Sequence, residues 1–325
     1  MGTFISRRRM IALAAGAIIS PRTIPVAQAQ AWPNRFVRVV VPLAPGGPTD
    51  LAARLIAEPL SKIWGQQVVI ENKPGAGGNL AAELVARSDP DGYTILFATS
   101  SLAVNQNLYR TLNYDPIADF APITQLTSFP FYMFVPNSLA ASSVREFIAL
   151  AKAKKLTLAS PGTGTAPHLT GELFTRMAEI TMTHVPYRGA APVLNDLMPG
   201  RVDLYFASGA LLENMRAGQI RGLAVTGSKR EPAAAELPTM GEAAVPGFEA
   251  SSWHGLFVPA RTPAHIVKKM NTDALSTLAD RAVRAKLDQN GYGIVGSSPE
   301  QLASLLKLEI DKWGTVIKDA GIRID

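Results

Sequence analysis

Apolar positions along this chain follow two alternating rhythms. Residues 36–41, 67–70 and 94–98 form short apolar runs of strand length, and residues 51–63 and 76–87 between them carry apolar positions at helical spacing. Asp91-Gly92 supplies a turn before the third run. An irregular segment then passes through Asn113-Tyr114-Asp115-Pro116 to a long apolar run, 123–135, with Pro130 inside it. A second alternating block follows: helices over 144–154, 167–178, 190–198 and 210–217, interleaved with strands over 156–160, 183–186, 202–207 and 220–226. Gly200 and Gly218 stand where helices end.

A proline-rich link, 231–247, leads to an extended stretch, 250–258. The tail reads as three helices, 263–279, 282–289 and 299–320, with Pro263 and Pro299 at first-turn positions and Ser298 as an N-cap. Alternation of strand and helix in two blocks predicts an α/β protein.

The two blocks share a plan. In VPLAPGGPTDLAARL (Val41 to Leu55) and LASPGTGTAPHLTGEL (Leu158 to Leu173), an apolar strand meets Pro-Gly, small residues and hydroxyls, and then a helix. Glycine there gives up about 0.5–1 kcal/mol of helix or strand order relative to alanine, so bare backbone has a use. A tight turn is one use, and an anion resting on helix-start amides is the other. The pattern therefore predicts two α/β lobes whose helix starts face a shared cleft.

Charge does not point to nucleic acid. The formal charge is +6, but Arg7, Arg8, Arg9 and Arg22 lie in the first 29 residues, which hold no acid; the other 28 basic residues face 26 acidic ones. Residues 1–29 read as an export leader: a basic start at Ser6 to Met10, an apolar stretch at Ile11 to Ile19, and a small-x-small site at Ala27-Gln28-Ala29. Arg7-Arg8-Arg9-Met10-Ile11 fits a twin-arginine signal as well as an ordinary Sec leader. Later apolar runs are broken by charge, glycine or proline, so the mature chain is expected to be exported without a membrane span.

Enzyme signatures are thin. Cysteine is absent, there is no Gly-x-Ser-x-Gly elbow or Walker loop, and Gly75-Ala76-Gly77-Gly78-Asn79-Leu80 fails the dinucleotide fingerprint at its last position. His168, His184, His254 and His265 show no metal-ligand spacing, and no cofactor is expected. What remains is anion-friendly backbone: Gly46-Gly47 and Thr163-Gly164-Thr165 before helix starts, Thr49 as a hydroxyl donor, and Val185-Pro186-Tyr187-Arg188-Gly189-Ala190 as a third loop entering a helix. A helix cap is the competing role for Thr49 and Asp50, and a solvated surface charge for Arg188.

PLAPGGPTDLAAR, ENKPGAGGNLAAELVARSDPDGYTIL, SPGTGTAPHLTGELF, HVPYRGAAPVLNDLMPGRVDLYF and SSWHGLFVPARTP follow one another along the chain. Together they resemble the Bug-type substrate-binding receptors of tripartite tricarboxylate transporters. That resemblance implies a periplasmic clamshell of the Venus-flytrap kind, with lobe one over 30–126 plus 227–325 and lobe two over 127–226. It implies capture of a small carboxylate without chemistry and delivery to a large and a small membrane subunit, with a monomer as the default. Carried over position by position, it implies ligand contacts from Ala44, Gly46, Gly47, Thr49 and Asp50, then Ser100 and Ser101. In the second lobe it implies Ser160, Gly162, Thr163, Gly164, Thr165 and His168, then Tyr187, Arg188, Gly189 and Ala190, with Asp203 at the distal end of the ligand or on an ordered water. Leu43 stands where an aromatic residue is often found, and Thr163 and Thr165 where serine is common, so the pocket is expected to differ in detail. Two other classes share these features: a receptor that reports to a signalling partner, and an exported enzyme with His168 as its base.

Overall fold

The structure, a computed structural model, describes Met1, residues 32–187 and residues 189–324. The leader beyond Met1, and Arg188, lie outside the described residues. In chain order the first elements are β1 (Val37–Val41), α1 (Pro48–Trp64), β2 (Val68–Asn72), α2 (Asn79–Ala86), β3 (Thr94–Thr99), α3 (Ser101–Leu108) and β4 (Phe120–Pro130). Next come β5 (Tyr132–Val135), α4 (Val144–Ala153), β6 (Leu156–Ser160), α5 (Ala166–Met177), β7 (Met182–Pro186), α6 (Ala190–Leu197), β8 (Leu204–Ala207), α7 (Leu212–Arg216) and β9 (Arg221–Val225). The chain finishes with α8 (Met240–Ala243), β10 (Ser251–Pro259), α9 (Ala264–Ala279), α10 (Arg281–Gln289), β11 (Gly293–Ile294) and α11 (Pro299–Asp319).

Two sheets result, one of six strands in the order β11-β4-β10-β3-β1-β2 and one of five in the order β7-β6-β8-β5-β9. Their parallel cores are built alike. β1 lies between β2 and β3, and β6 between β7 and β8, all parallel. An antiparallel strand then extends each sheet, β10 beside β3 and β5 beside β8. β3 is apolar on both faces and almost wholly buried, as a parallel strand covered by helices must be, and β1 follows it apart from Arg38 near its start. In each sheet the strand order reverses beside the central strand, which places the crevice for a ligand at the carboxyl ends of β1 and β3 and of β6 and β8.

The chain leaves the first sheet at Pro130 and enters the second at Tyr132, so residue 126 lies inside β4. Proline without an N–H ends the ladder there. Residues 227–250, expected with lobe one, pack on the second sheet instead: Met240, Val245, Phe248 and Ala250 join Phe174 and Phe206 in one apolar cluster. Thr226 ties the crossings together. Its Oγ1 accepts from the Phe131 amide at 2.8 Å and lies 2.6 Å from the Ala250 carbonyl, and its own amide donates to the Phe131 carbonyl.

α11 spans the two lobes. Leu302, Leu306 and Ile310 pack in a cluster with Trp253 and Phe257 of the first sheet, while Trp313, Val316 and Ile317 join the cluster under α5. α3, in a stretch where no helix is expected from the sequence, lies against α11 and is buried on most of its sides, with Leu102, Ala103, Val104, Asn105 and Leu108 enclosed.

Candidate functional site

Between the lobes lies a cavity of about 260 Å³ walled by three helix starts. Thr49 brings the start of α1, Ser100 and Ser101 that of α3, and Thr163 to Pro167 that of α5. In none of these helices does the N-cap side chain bond the first turn; at α3 the Ser101 amide reaches Thr99 Oγ1 at 3.4 Å. Among the helices away from the cavity, α4, α8, α10 and α11 are capped by Ser143, Thr239, Asp280 and Ser298, whereas α2, α6, α7 and α9 are not. A helix start with free amides carries roughly half a positive charge. Three such starts around one cavity make an anion site.

The walls otherwise divide into hydroxyl and apolar groups. Thr99, Ser252, Tyr109 and Asn105 add polar contacts, and Leu43, Val104, Leu108, Phe129 and Phe131 supply an apolar side. Among the described residues that line it there is no lysine, arginine, aspartate or glutamate. His254 also reaches the wall, but burial pushes its imidazole down to about 3 and its Nδ1 bonds Thr127 Oγ1 at 2.9 Å, so it is a neutral structural ring.

The Gly46 and Gly164 amides, both expected to hold the ligand, are committed elsewhere. Gly46 sits at φ 79 and gives its N–H to Asp50 Oδ2 at 2.9 Å; Gly164 sits at φ 76 and gives its N–H to His168 Nδ1 at 3.0 Å. In both lobes the third residue of the helix reaches back four positions to fix the turn. Asp50 also accepts from Arg54 Nε and Asn72 Nδ2. Its burial works to raise the pKa, but the bonds from Arg54, Gly46 and Asn72 outweigh it and hold the carboxyl below the ordinary value. Gly164 lines the wall itself, and an added Cβ there would lie 2.3 Å from Leu108 Cδ2.

Of the other expected contacts, Thr49, Ser100, Ser101, Thr163 and Thr165 do line the cavity. Ala44, Gly46 and Gly47 belong to the exposed loop beside it. Asp50, Ser160, Gly162 and His168 stand behind the walls as supports. Ser160 Oγ lies 2.7 Å from His184 Nε2 and 3.0 Å from the Gly162 carbonyl. Tyr187 turns its hydroxyl to Asp196 Oδ2 at 2.7 Å, and burial together with that bond pushes it up to about 12. Gly189 donates to the Pro161 carbonyl, and Ala190 is exposed. Asp203 is a correction: it accepts from Thr157 N and Oγ1, both at 2.8 Å, at the start of β6 and β8, the end of the sheet opposite the cleft. His168 is not presented as a base, because it is buried and its Nδ1 is occupied.

Sequence reasoning missed Asn105 on α3 and Tyr109 just past its end, Phe129 and Phe131 at the crossing, and Ser252, which meets Ser100 Oγ at 2.9 Å. Only Ser252 carried a signal, as part of SSWHG. Among the described residues no cluster of metal-ligating side chains is present, and no helix is long and apolar enough to cross a membrane.

A two-lobed α/β fold with its cavity between the lobes defines a binding protein of the periplasmic type. Residues 52–322 match the tripartite tricarboxylate transporter family receptor, TctC, and the chain belongs to that family. It is 40% identical to R. palustris Rpa4515, solved with adipate, with a TM-score of 0.80 over 90% of this chain and 100% of that one. MatC from Rhodopseudomonas palustris, solved with bound malate, is 34% identical with a TM-score of 0.75, covering 88% of this chain and 99% of that one. BugT of Bordetella pertussis is 32% identical over 301 residues, 91% of this chain and 92% of the relative.

Proposed function

We propose that the protein is a periplasmic receptor that captures a small carboxylate between its lobes and delivers it to the large and small membrane subunits of a tripartite transporter. The carrying observation is the meeting of three helix starts without side-chain caps, from both lobes, on a cavity whose described lining is rich in hydroxyls and free of charged side chains. Amide and hydroxyl donors recognise a carboxylate without a salt bridge, and charge-assisted bonds of this kind are the stronger ones. Leu43, Val104, Leu108, Phe129 and Phe131 then suit a hydrocarbon segment. Adipate with Rpa4515 and malate with MatC supply the first compounds to try.

A ligand that touches both lobes favours the closed form by its differential affinity for that form. The test is thermal unfolding against adipate, malate, further carboxylates and their neutral amides. A binder at a hundred times its dissociation constant adds about 2.7 kcal/mol, a midpoint shift on the order of 5–10 °C. A shift with an acid and none with its amide is the expected result. A shift with amides alone would overturn the reading.

A further inference from the structure

We propose that His168 is a positioning residue: its neutral imidazole holds the 162–165 loop in the form that presents the start of α5 to the cleft, and protonation of the ring releases the loop. What the loop binds rests on the carboxylate reading above; how the loop is held does not.

The geometry is specific to one nitrogen. Gly164 donates its amide to Nδ1 of His168 at 3.0 Å, so in the neutral ring the proton resides on Nε2, which stands 3.3 Å from Glu172 Oε1. A charged imidazole has N–H on both nitrogens. The Gly164 amide would then face a donor and the turn would lose its tie. The ring is 2% exposed, which leaves no room for it to rotate into water.

A second tie runs through the neighbouring strand. His184 of β7 stacks on His168 with ring centroids 3.7 Å apart and an angle of 18° between planes. His184 Nε2 meets Ser160 Oγ, and that oxygen bonds both the carbonyl and the amide of Gly162. Both halves of the loop thus hang from two stacked imidazoles. A proton on either ring places positive charge beside the other, and burial with the His168 ring keeps His184 neutral down to about 4.

The titratable groups facing His168 are His184 from β7 and Glu172 one turn further along α5. Tyr187, after β7, turns its hydroxyl away to Asp196. β8 packs Leu204 and Phe206, and α11 packs Trp313, Val316 and Ile317, into the apolar cluster under α5; Asp319 of α11 pairs with Arg176 at the far end of that helix. The first lobe uses the same four-residue reach, but from Asp50, a carboxylate held below its ordinary pKa.

His168→Asn separates positioning from packing, because its side-chain oxygen replaces Nδ1 as acceptor and does not titrate; His168→Leu removes the acceptor. The amide of Gly164 is followed by NMR in the unliganded protein as the pH is lowered from about 7.5 to about 5. Adipate affinity is measured in parallel. In the wild type the Gly164 amide is expected to lose its exchange protection on acidification and adipate to weaken by about tenfold more than it does for H168N. The H168N protein keeps its protection throughout, and H168L lacks it even at the upper pH. A Gly164 amide indifferent to pH in the wild type, or one that responds equally in H168N, overturns the proposal. So does unchanged adipate affinity in H168L. If the wild type binds no adipate at any pH, that counts against the carboxylate reading, and the Gly164 amide decides the role of His168 by itself.

Discussion

Asp50 shows how a residue placed at the site on sequence grounds serves it at one remove. Its carboxylate collects the Gly46 amide, Arg54 and Asn72, and Asn72 in turn bonds the Leu43 carbonyl. Asp50→Ala removes the shared acceptor of three donors that can turn to water, a cost of about 0.5–1.5 kcal/mol for a typical bond, to be read from the urea midpoint; an unchanged midpoint would show that the loop holds itself. Histidines set the acid side of stability. Unfolded histidine takes its proton near 6.5, whereas folded His184 and His254 resist it until about 4 and about 3. The unfolded state therefore binds more protons in this window, and stability falls as pH drops from about 6.5 towards 4. Urea midpoints that stay level over that range would contradict this. The sequence showed that bare backbone was needed at Gly46 and Gly164, but not which partner takes each N–H, because that partner is a side chain one helical turn away. Asp203 was misplaced for a related reason: a strand's residues are visible in the sequence, and which end of the sheet faces the cleft is a matter of topology.

Among the elements, the apolar strands and amphipathic helices were legible because burial of both faces or of one face leaves a period in the sequence. α3 left none, since SLAVNQNL is enclosed on nearly all sides and includes buried Asn105. Thr226 is a tertiary feature of the same kind: an unremarked threonine that joins Phe131 and Ala250 where the chain passes between sheets. Thr226→Val keeps its shape and strands the Phe131 amide, which should cost about 1–3 kcal/mol; denaturant unfolding that matches the wild type would show the crossing to be indifferent to it. Along α11, Trp313→Ala should cost about 3–5 kcal/mol, since it empties a core position. Arg176→Ala, which removes only the exposed pair with Asp319, should cost under about 1 kcal/mol. Equal losses in the two variants would mean that α11 is not held to the second lobe by apolar packing.

For the whole molecule, the repeat of glycine-rich turns in the sequence corresponds to two parallel three-strand cores facing each other across the cleft. The return of the chain after β9 was harder to read, because 227–250 is polar and proline-rich and its attachment to the second sheet depends on scattered residues, Ala234 and Leu237 in one apolar cluster and Met240, Val245, Phe248 and Ala250 in another. The central claim is that a carboxylate binds both lobes at once through helix starts. Hydrogen–deuterium exchange with and without saturating adipate tests it most directly. Added protection at the first turns of α1, α3 and α5 together is the predicted result. Protection confined to one lobe, or found instead at the groove between Arg35 and Arg87 on the outer edge of the first sheet, would contradict it.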